Sequence, residues 1–245
     1  ASPPPTTPGA GTGFYLRDAN NGGSATHTIG YGRPGDFPIV GDWNGDGIDT
    51  PGVIRGGNQW LLRNSLNGGN ADLNFIYGRP GDVPVIGDWD RNGTDTAGVV
   101  RGGNSWFLRN SNSGGSADVS FIFGRPGDAP IAGDWNGDGV DTPGIIRGGN
   151  QWFLRNSQSG GSGDIGFIYG RPGDMPVVGD WDRNGTDTAG IIRSASWYLR
   201  NSNNGGSGDL NFIYGRATDR PLVGDWNRDG IDTVGIIGRS NSGDR

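Results

Sequence analysis

Five times along this chain an acidic nonapeptide comes round with oxygen-bearing side chains at alternate positions. The copies read DWNGDGIDT from Asp42, DWDRNGTDT from Asp88, DWNGDGVDT from Asp134, DWDRNGTDT from Asp180 and DWNRDGIDT from Asp225. Alternate Asp or Asn oxygens followed by Gly are the pattern of D-x-[DN]-x-[DN]-G calcium loops. There the side chains converge on a hard cation and the Gly permits a sharp turn. Each copy carries three Asp, and a cation would relieve their repulsion. The same letters fit a second chemistry. Asp and Asn form Asx-turns and cap backbone N–H groups with no metal at all.

Composition narrows what can hold such loops. The 245 residues contain no Lys, no Glu and no Cys; the 26 acids are all Asp and the 20 Lys-or-Arg positions are all Arg. Glu and Lys favour helices, whereas Asp, Asn, Gly and Ser favour turns, so the chain is expected to be all-β. With no Cys there is neither a disulfide framework nor thiol chemistry. A formal charge of −6 repels phosphate backbones and argues against nucleic-acid binding. No apolar run approaches a membrane span. Residues 1–12, ASPPPTTPGAGT, have linker composition, and residues 241–245 form a short tail.

The elements that must position the loops are repeats. Trp of the recurring Gly-Asp-Trp stands at 43, 89, 135, 181 and 226, so the spacing is 46, 46, 46 and 45. An aromatic-x-Leu-Arg marker (Phe14–Arg17, Trp60–Arg63, Trp106–Arg109, Trp152–Arg155, Trp197–Arg200) and an aromatic-Gly-Arg marker at Tyr31, Tyr77, Phe123, Tyr169 and Tyr214 follow the same period. Each unit holds four strand signals, in the second unit residues 83–89, 96–101, 105–110 and 117–123. Apolar residues on both strand faces fit a sheet packed between two others. Arg-Pro-Gly-Asp at 33, 79, 125 and 171 reads as a type II turn, and Arg216-Ala217-Thr218-Asp219 as a looser one. Gly-Gly pairs at 56, 102 and 148 suit tight hairpins. The chain opens in the second half of a unit and closes with the first half. In a ring, strands from the two termini complete one sheet and remove an exposed edge. The expectation is a five-bladed β-propeller over residues 13–240, with four antiparallel strands per blade and the ring closed by pairing of N- and C-terminal strands.

On these loops and repeats the chain, over residues 14–238, resembles the FG-GAP or VCBS-like propeller repeats of integrin α-subunits and secreted bacterial proteins. The resemblance implies Ca²⁺ between the first two strands of each blade. Its ligands would be Asp42, Asn44 and Asp46 with the Ile48 carbonyl; Asp88, Asp90 and Asn92 with that of Thr94; Asp134, Asn136 and Asp138 with that of Val140; Asp180, Asp182 and Asn184 with that of Thr186; and Asp225, Asn227 and Asp229 with that of Ile231. The family's closing acid lies two residues after that carbonyl, where this chain has Thr50, Thr96, Thr142, Thr188 and Thr233. The acid comes one residue earlier, as Asp49, Asp95, Asp141, Asp187 and Asp232, and joins the set only if the loop bends.

Function is expected to be non-catalytic. Glycosidases need a raised-pKa acid, usually Glu, and a unique constellation. Here Glu is absent, the units are nearly equal, and the single His27 replaces the Asp of the other units. The expected role is a secreted, monomeric binding module, carbohydrate-binding through repeated sites, or else a structural or protein-interaction propeller attached to another domain. Trp, Tyr, Asn, Asp and Arg suit sugars, but Trp60, Trp106, Trp152 and Trp197 read as core, and Trp43, Trp89, Trp135, Trp181 and Trp226 as packing between blades. The Arg of each Arg-Pro-Gly-Asp turn is expected to pair with a nearby Asp.

Overall fold

The computed structural model describes residues 13–238, so the assignments for residues 1–12 and 239–245 lie outside the described residues. Twenty short strands follow one another with no helix among them. They begin with β1 (Gly13–Leu16) and β2 (His27–Gly30). The next four are β3 (Phe37–Gly41), β4 (Thr50–Arg55), β5 (Gln59–Leu62) and β6 (Leu73–Ile76). Then come β7 (Val83–Gly87), β8 (Thr96–Arg101), β9 (Ser105–Leu108) and β10 (Val119–Ile122). The third set is β11 (Ala129–Gly133), β12 (Thr142–Arg147), β13 (Gln151–Leu154) and β14 (Ile165–Ile168). The fourth is β15 (Met175–Gly179), β16 (Thr188–Arg193), β17 (Ser196–Leu199) and β18 (Leu210–Ile213). β19 (Arg220–Gly224) and β20 (Thr233–Gly238) end the fold.

Each consecutive set of four is one antiparallel sheet, and the fifth sheet runs β19-β20-β1-β2. The termini therefore close the ring, with Phe14 opposite Ile237 and Tyr15 opposite Ile236. The inner strands touch in cyclic order β3, β7, β11, β15, β19 and back to β3. This is a five-bladed β-propeller.

Turn chemistry explains the short connections. Gly35, Gly81, Gly127 and Gly173 take φ of 91–97°, as the third position of a type II turn requires. The Arg216–Asp219 turn, expected to be looser, closes with the same hydrogen bond, Asp219 N–H to the Arg216 carbonyl at 3.0 Å. In the β4–β5 hairpin both Gly56 (60°) and Gly57 (84°) have positive φ, the type I′ geometry that matches strand twist. The β16–β17 hairpin is one residue shorter, with Ser194 at 57°, which accounts for the single 45-residue spacing.

The core is laid down between blades. All nine tryptophans are buried, none above 4% exposure. Trp43 packs with Ile54 and Trp60 of its own sheet and with Ala97 and Val99 of the next, and Trp226 with Phe14, Leu16 and, from the next sheet, Val53. Trp60, Trp106, Trp152 and Trp197 stack on Phe75, Phe121, Phe167 and Phe212, with ring centroids 5.8–6.2 Å apart. Burying rings of that size against a neighbour is the main force that holds adjacent sheets together.

Candidate functional site

The five acidic loops connect the inner strand of each blade to the second. Their Asp and Asn side chains are spent largely on the loop's own backbone. Asp42 Oδ1 accepts the N–H groups of Gly45 (2.8 Å) and Asp46 (3.1 Å), and its Oδ2 accepts that of Gly47 (2.7 Å). Asp46 Oδ1 accepts Ile48 N–H at 2.9 Å. Asp134 and Asp138 make the same bonds to Gly137, Asp138, Gly139 and Val140. Asp225 and Asp229 cap Asp229, Gly230 and Ile231. In the Asp-Arg-Asn copies the acid at the fifth position of the loop is replaced by an amide that does the same work: Asn92 and Asn184 accept Thr94 and Thr186 N–H at 2.8 Å, while Asp88 and Asp180 accept Gly93 and Gly185 N–H at 2.7 Å. The Asp90 and Asp182 carboxylates stay exposed. Their loops hold Arg91 and Arg183 at φ of 60° and 61°, where Gly45 and Gly137 stand at 73° elsewhere.

The donor set suits a hard cation in type, with oxygen-bearing side chains at alternate positions. Asn44 Nδ2 lies 2.9 Å from Asp46 Oδ2, Asn136 Nδ2 2.9 Å from Asp138 Oδ2 and Asn227 Nδ2 3.0 Å from Asp229 Oδ2. Reversing the amide places an oxygen there, and neighbouring oxygens around Ca²⁺ at about 2.4 Å are themselves roughly 3 Å apart. Asp42, Asn44, Asp46 and the Ile48 carbonyl, with their counterparts, would hold the ion. Among the described residues, no three Asp, Glu, His or Cys groups converge on a metal position. A loop ion would therefore depend on the Asn amide and on backbone oxygen.

Asp49, Asp95, Asp141, Asp187 and Asp232 are not brought to their own loops. Each turns away to the preceding blade. Asp49 N–H donates to the Asp225 carbonyl at 2.8 Å, and Asp49 Oδ2 accepts Asp225 N–H at 2.8 Å. The same two-bond clasp joins Asp95 to Asp42, Asp141 to Asp88, Asp187 to Asp134 and Asp232 to Asp180. The adjacent threonines point the opposite way, as alternation requires: Thr50 Oγ1 donates to the Gly41 carbonyl at 3.3 Å.

The five clasp carboxylates line one end of the axial channel, around a cavity of about 160 Å³ whose wall also includes Gly41, Gly87 and Gly133. Burial, joined by nearby carboxylates and opposed by the backbone hydrogen bond, pushes Asp95 and Asp187 up to about 7. Burial, then the neighbouring Asp95 and Asp232, hold Asp49 well above the usual range; burial and neighbouring acids, Asp187 foremost, do the same for Asp141 and Asp232. No sequence motif announces this ring. Its signal was an acid invariably placed one residue before the second strand, and its meaning depends on the blade-to-blade geometry.

Sequence reasoning also misplaced an ion pair. Asp36 is met by Arg55, two-pronged at 3.0 and 2.8 Å, and not by Arg33 of its own turn, whose backbone N–H it accepts at 2.9 Å. Arg101–Asp82, Arg147–Asp128 and Arg193–Asp174 repeat the pair. His27 Nε2 lies 2.9 Å from Asp18 Oδ1 on the surface side of β2.

No protein-family model matches the chain, and no curated protein matches it. Among solved structures, a Tc holotoxin pore of Photorhabdus luminescens superposes with a TM-score of 0.44 at 14% identity, over 82% of this chain. The chain spans 11% of that chain's length. The class of protein, a five-bladed β-propeller of near-equal blades, therefore rests on the chain's own geometry, and no family model bears out the FG-GAP resemblance.

Proposed function

We propose that this propeller is an exported, non-catalytic binding module whose rim engages an extracellular protein. One observation carries the choice of ligand. Among the described residues, the large apolar side chains left exposed are Ile76 (55%), Ile122 (63%), Ile168 (61%) and Ile213 (66%). Each ends the outer strand of its blade, and Gly30 takes the fifth position. Apolar groups spaced evenly round a rim suit a protein surface, and repetition turns weak contacts into avidity. The glycan reading loses its tryptophan platforms, because every Trp is buried. The absence of Glu and the near-equivalence of the blades support a non-catalytic role. Export draws its support from the loops' similarity to secreted repeat proteins.

The test compares the native chain with a variant carrying Ile→Ser at 76, 122, 168 and 213, substitutions expected to shift stability by only about 0.5 kcal/mol each. The native chain should retain an extracellular protein that the variant releases at least tenfold more readily, with no glycan above background on an array. Glycan binding indifferent to the four substitutions would replace this ligand class with the other.

Calcium in the acidic loops belongs to the same proposal, as a stiffener of the module. Saturating Ca²⁺ at about 100 times its Kd adds roughly 2.7 kcal/mol per site. The melting midpoint should therefore rise by several degrees over that in chelator, and calorimetry should register the binding. An unchanged midpoint with no heat would make the loops turns alone.

A further inference from the structure

The blades are most unlike one another at a single structural position. The first residue of the inner strand is Phe37, Val83, Ala129, Met175 or Arg220, each followed by Pro. These strand starts lie at the end of the channel opposite the clasp carboxylates. A cavity of about 230 Å³ opens there, walled by Phe37, Ile39, Pro84, Val177, Arg220 and Leu222 among others.

Arg220 is the cation of this cavity. Its guanidinium carbon stands 3.6 Å from the centre of the Phe37 ring. Eight other arginines are ion-paired, four to the turn aspartates and four to Asp72, Asp118, Asp164 and Asp209. Arg220 has no carboxylate partner among the described residues. Its chain neighbour Asp219 instead accepts Arg216 N–H at 2.8 Å. Burial alone lowers the Arg220 guanidinium to about 10, which leaves it charged at neutral pH. A half-buried cation with no carboxylate partner beside an apolar wall is incompletely solvated, and an anion would satisfy it.

We propose that the Arg220 mouth of the channel binds a small carboxylate attached to an apolar body, such as an arylacetate. The carboxylate would take the fork of the guanidinium, which offers two parallel N–H donors. The ring would lie against the Pro84, Val177 and Leu222 wall, beside the Phe37 ring that the guanidinium covers. The volume is sufficient, since a protein cavity of about 150 Å³ accepts benzene. The site is single because only one blade carries the cation, and it is independent of the isoleucine rim.

The test is an NMR titration of the full chain with phenylacetate and, separately, with its uncharged amide. Phenylacetate should bind once, with a Kd of about 1 mM, and shift the signals of Phe37, Ile39, Val177 and the Arg220 side-chain N–H. The amide should bind at least tenfold more weakly. Arg220→Met places another blade's residue at this position; it should keep the fold and weaken phenylacetate at least tenfold, and Arg220→Lys should fall between the two. Equal affinity for acid and amide, equal affinity in Arg220→Met, or shifts confined to other surfaces would overturn the proposal.

Discussion

A chain shortened to begin at residue 18 is expected to lose its cooperative melt and to leave the monomeric state. The deletion removes β1, the strand that joins β20 to β2 in the fifth sheet. It takes out Phe14 and Leu16, both fully buried in the cluster with Trp226 and Val53. Each such side chain contributes about 1.5–3 kcal/mol of burial, before the cavity left behind is counted. It also strands β2, whose pairing is with β1, and bares the edge of β20. A domain of ordinary stability has only about 5–15 kcal/mol in hand. The exposed β20 edge will then recruit strands from other copies. Calorimetry and size-exclusion chromatography read both effects. A shortened chain that stays monomeric and melts within a few degrees of the native one would show that the fifth sheet is dispensable.

The second large effect is an inverted pH dependence. The propeller is expected to melt at a higher temperature at pH 5 than at pH 8, measured in chelator so that metal plays no part. An unfolded Asp titrates near 3.9. In the fold, Asp95 and Asp187 titrate at about 7, and Asp49, Asp141 and Asp232 are well above the normal range as well. Between those limits the native state binds more protons than the unfolded state. Stability from these groups is therefore full below about pH 4 and is lost as pH rises through the folded pKa values. One pKa unit corresponds to about 1.4 kcal/mol for an isolated group, and channel water reduces the yield of a coupled ring. A total of about 3 kcal/mol between pH 5 and 8 shifts the midpoint by on the order of 10 °C in a chain this long. Replacing Asp95 and Asp187 by Asn keeps an acceptor for Asp42 and Asp134 N–H and should flatten the profile. A midpoint that climbs steadily from pH 5 to 8 would mean the clasp carboxylates are ionised and comfortable in the native state.

The ring was legible because its signals are local and repeated. Period-two apolar patterning, Gly at positions needing positive φ, and complementary half-units at the two ends together fix blade, turn and closure. Thr50 and Asp49 also followed the alternation rule, which places them on opposite sides. What alternation does not say is what the far side holds. Asp49 meets Asp225, a residue 176 positions away in sequence. The partner of Asp36 was legible only with the strand register in hand. Phe37 faces Ile54, so Arg55, one residue beyond, arrives beside Asp36, whereas Arg33, closer in sequence, meets it through its backbone N–H. Arg220 was overlooked for a related reason. Within β19 it is one polar residue at a strand start, and it stands out only when the five inner strands are set side by side around a channel.

Closure itself is open to a direct measurement, made clean by the absence of native cysteines. Tyr15 and Ile236 face each other across β1 and β20. With cysteines at these two positions, a short thiol-to-thiol crosslinker in dilute solution should join the two ends within one molecule and leave a monomer whose melting midpoint is raised. Linkage only between molecules, or none while both thiols remain reactive, would contradict a ring sealed by its own termini.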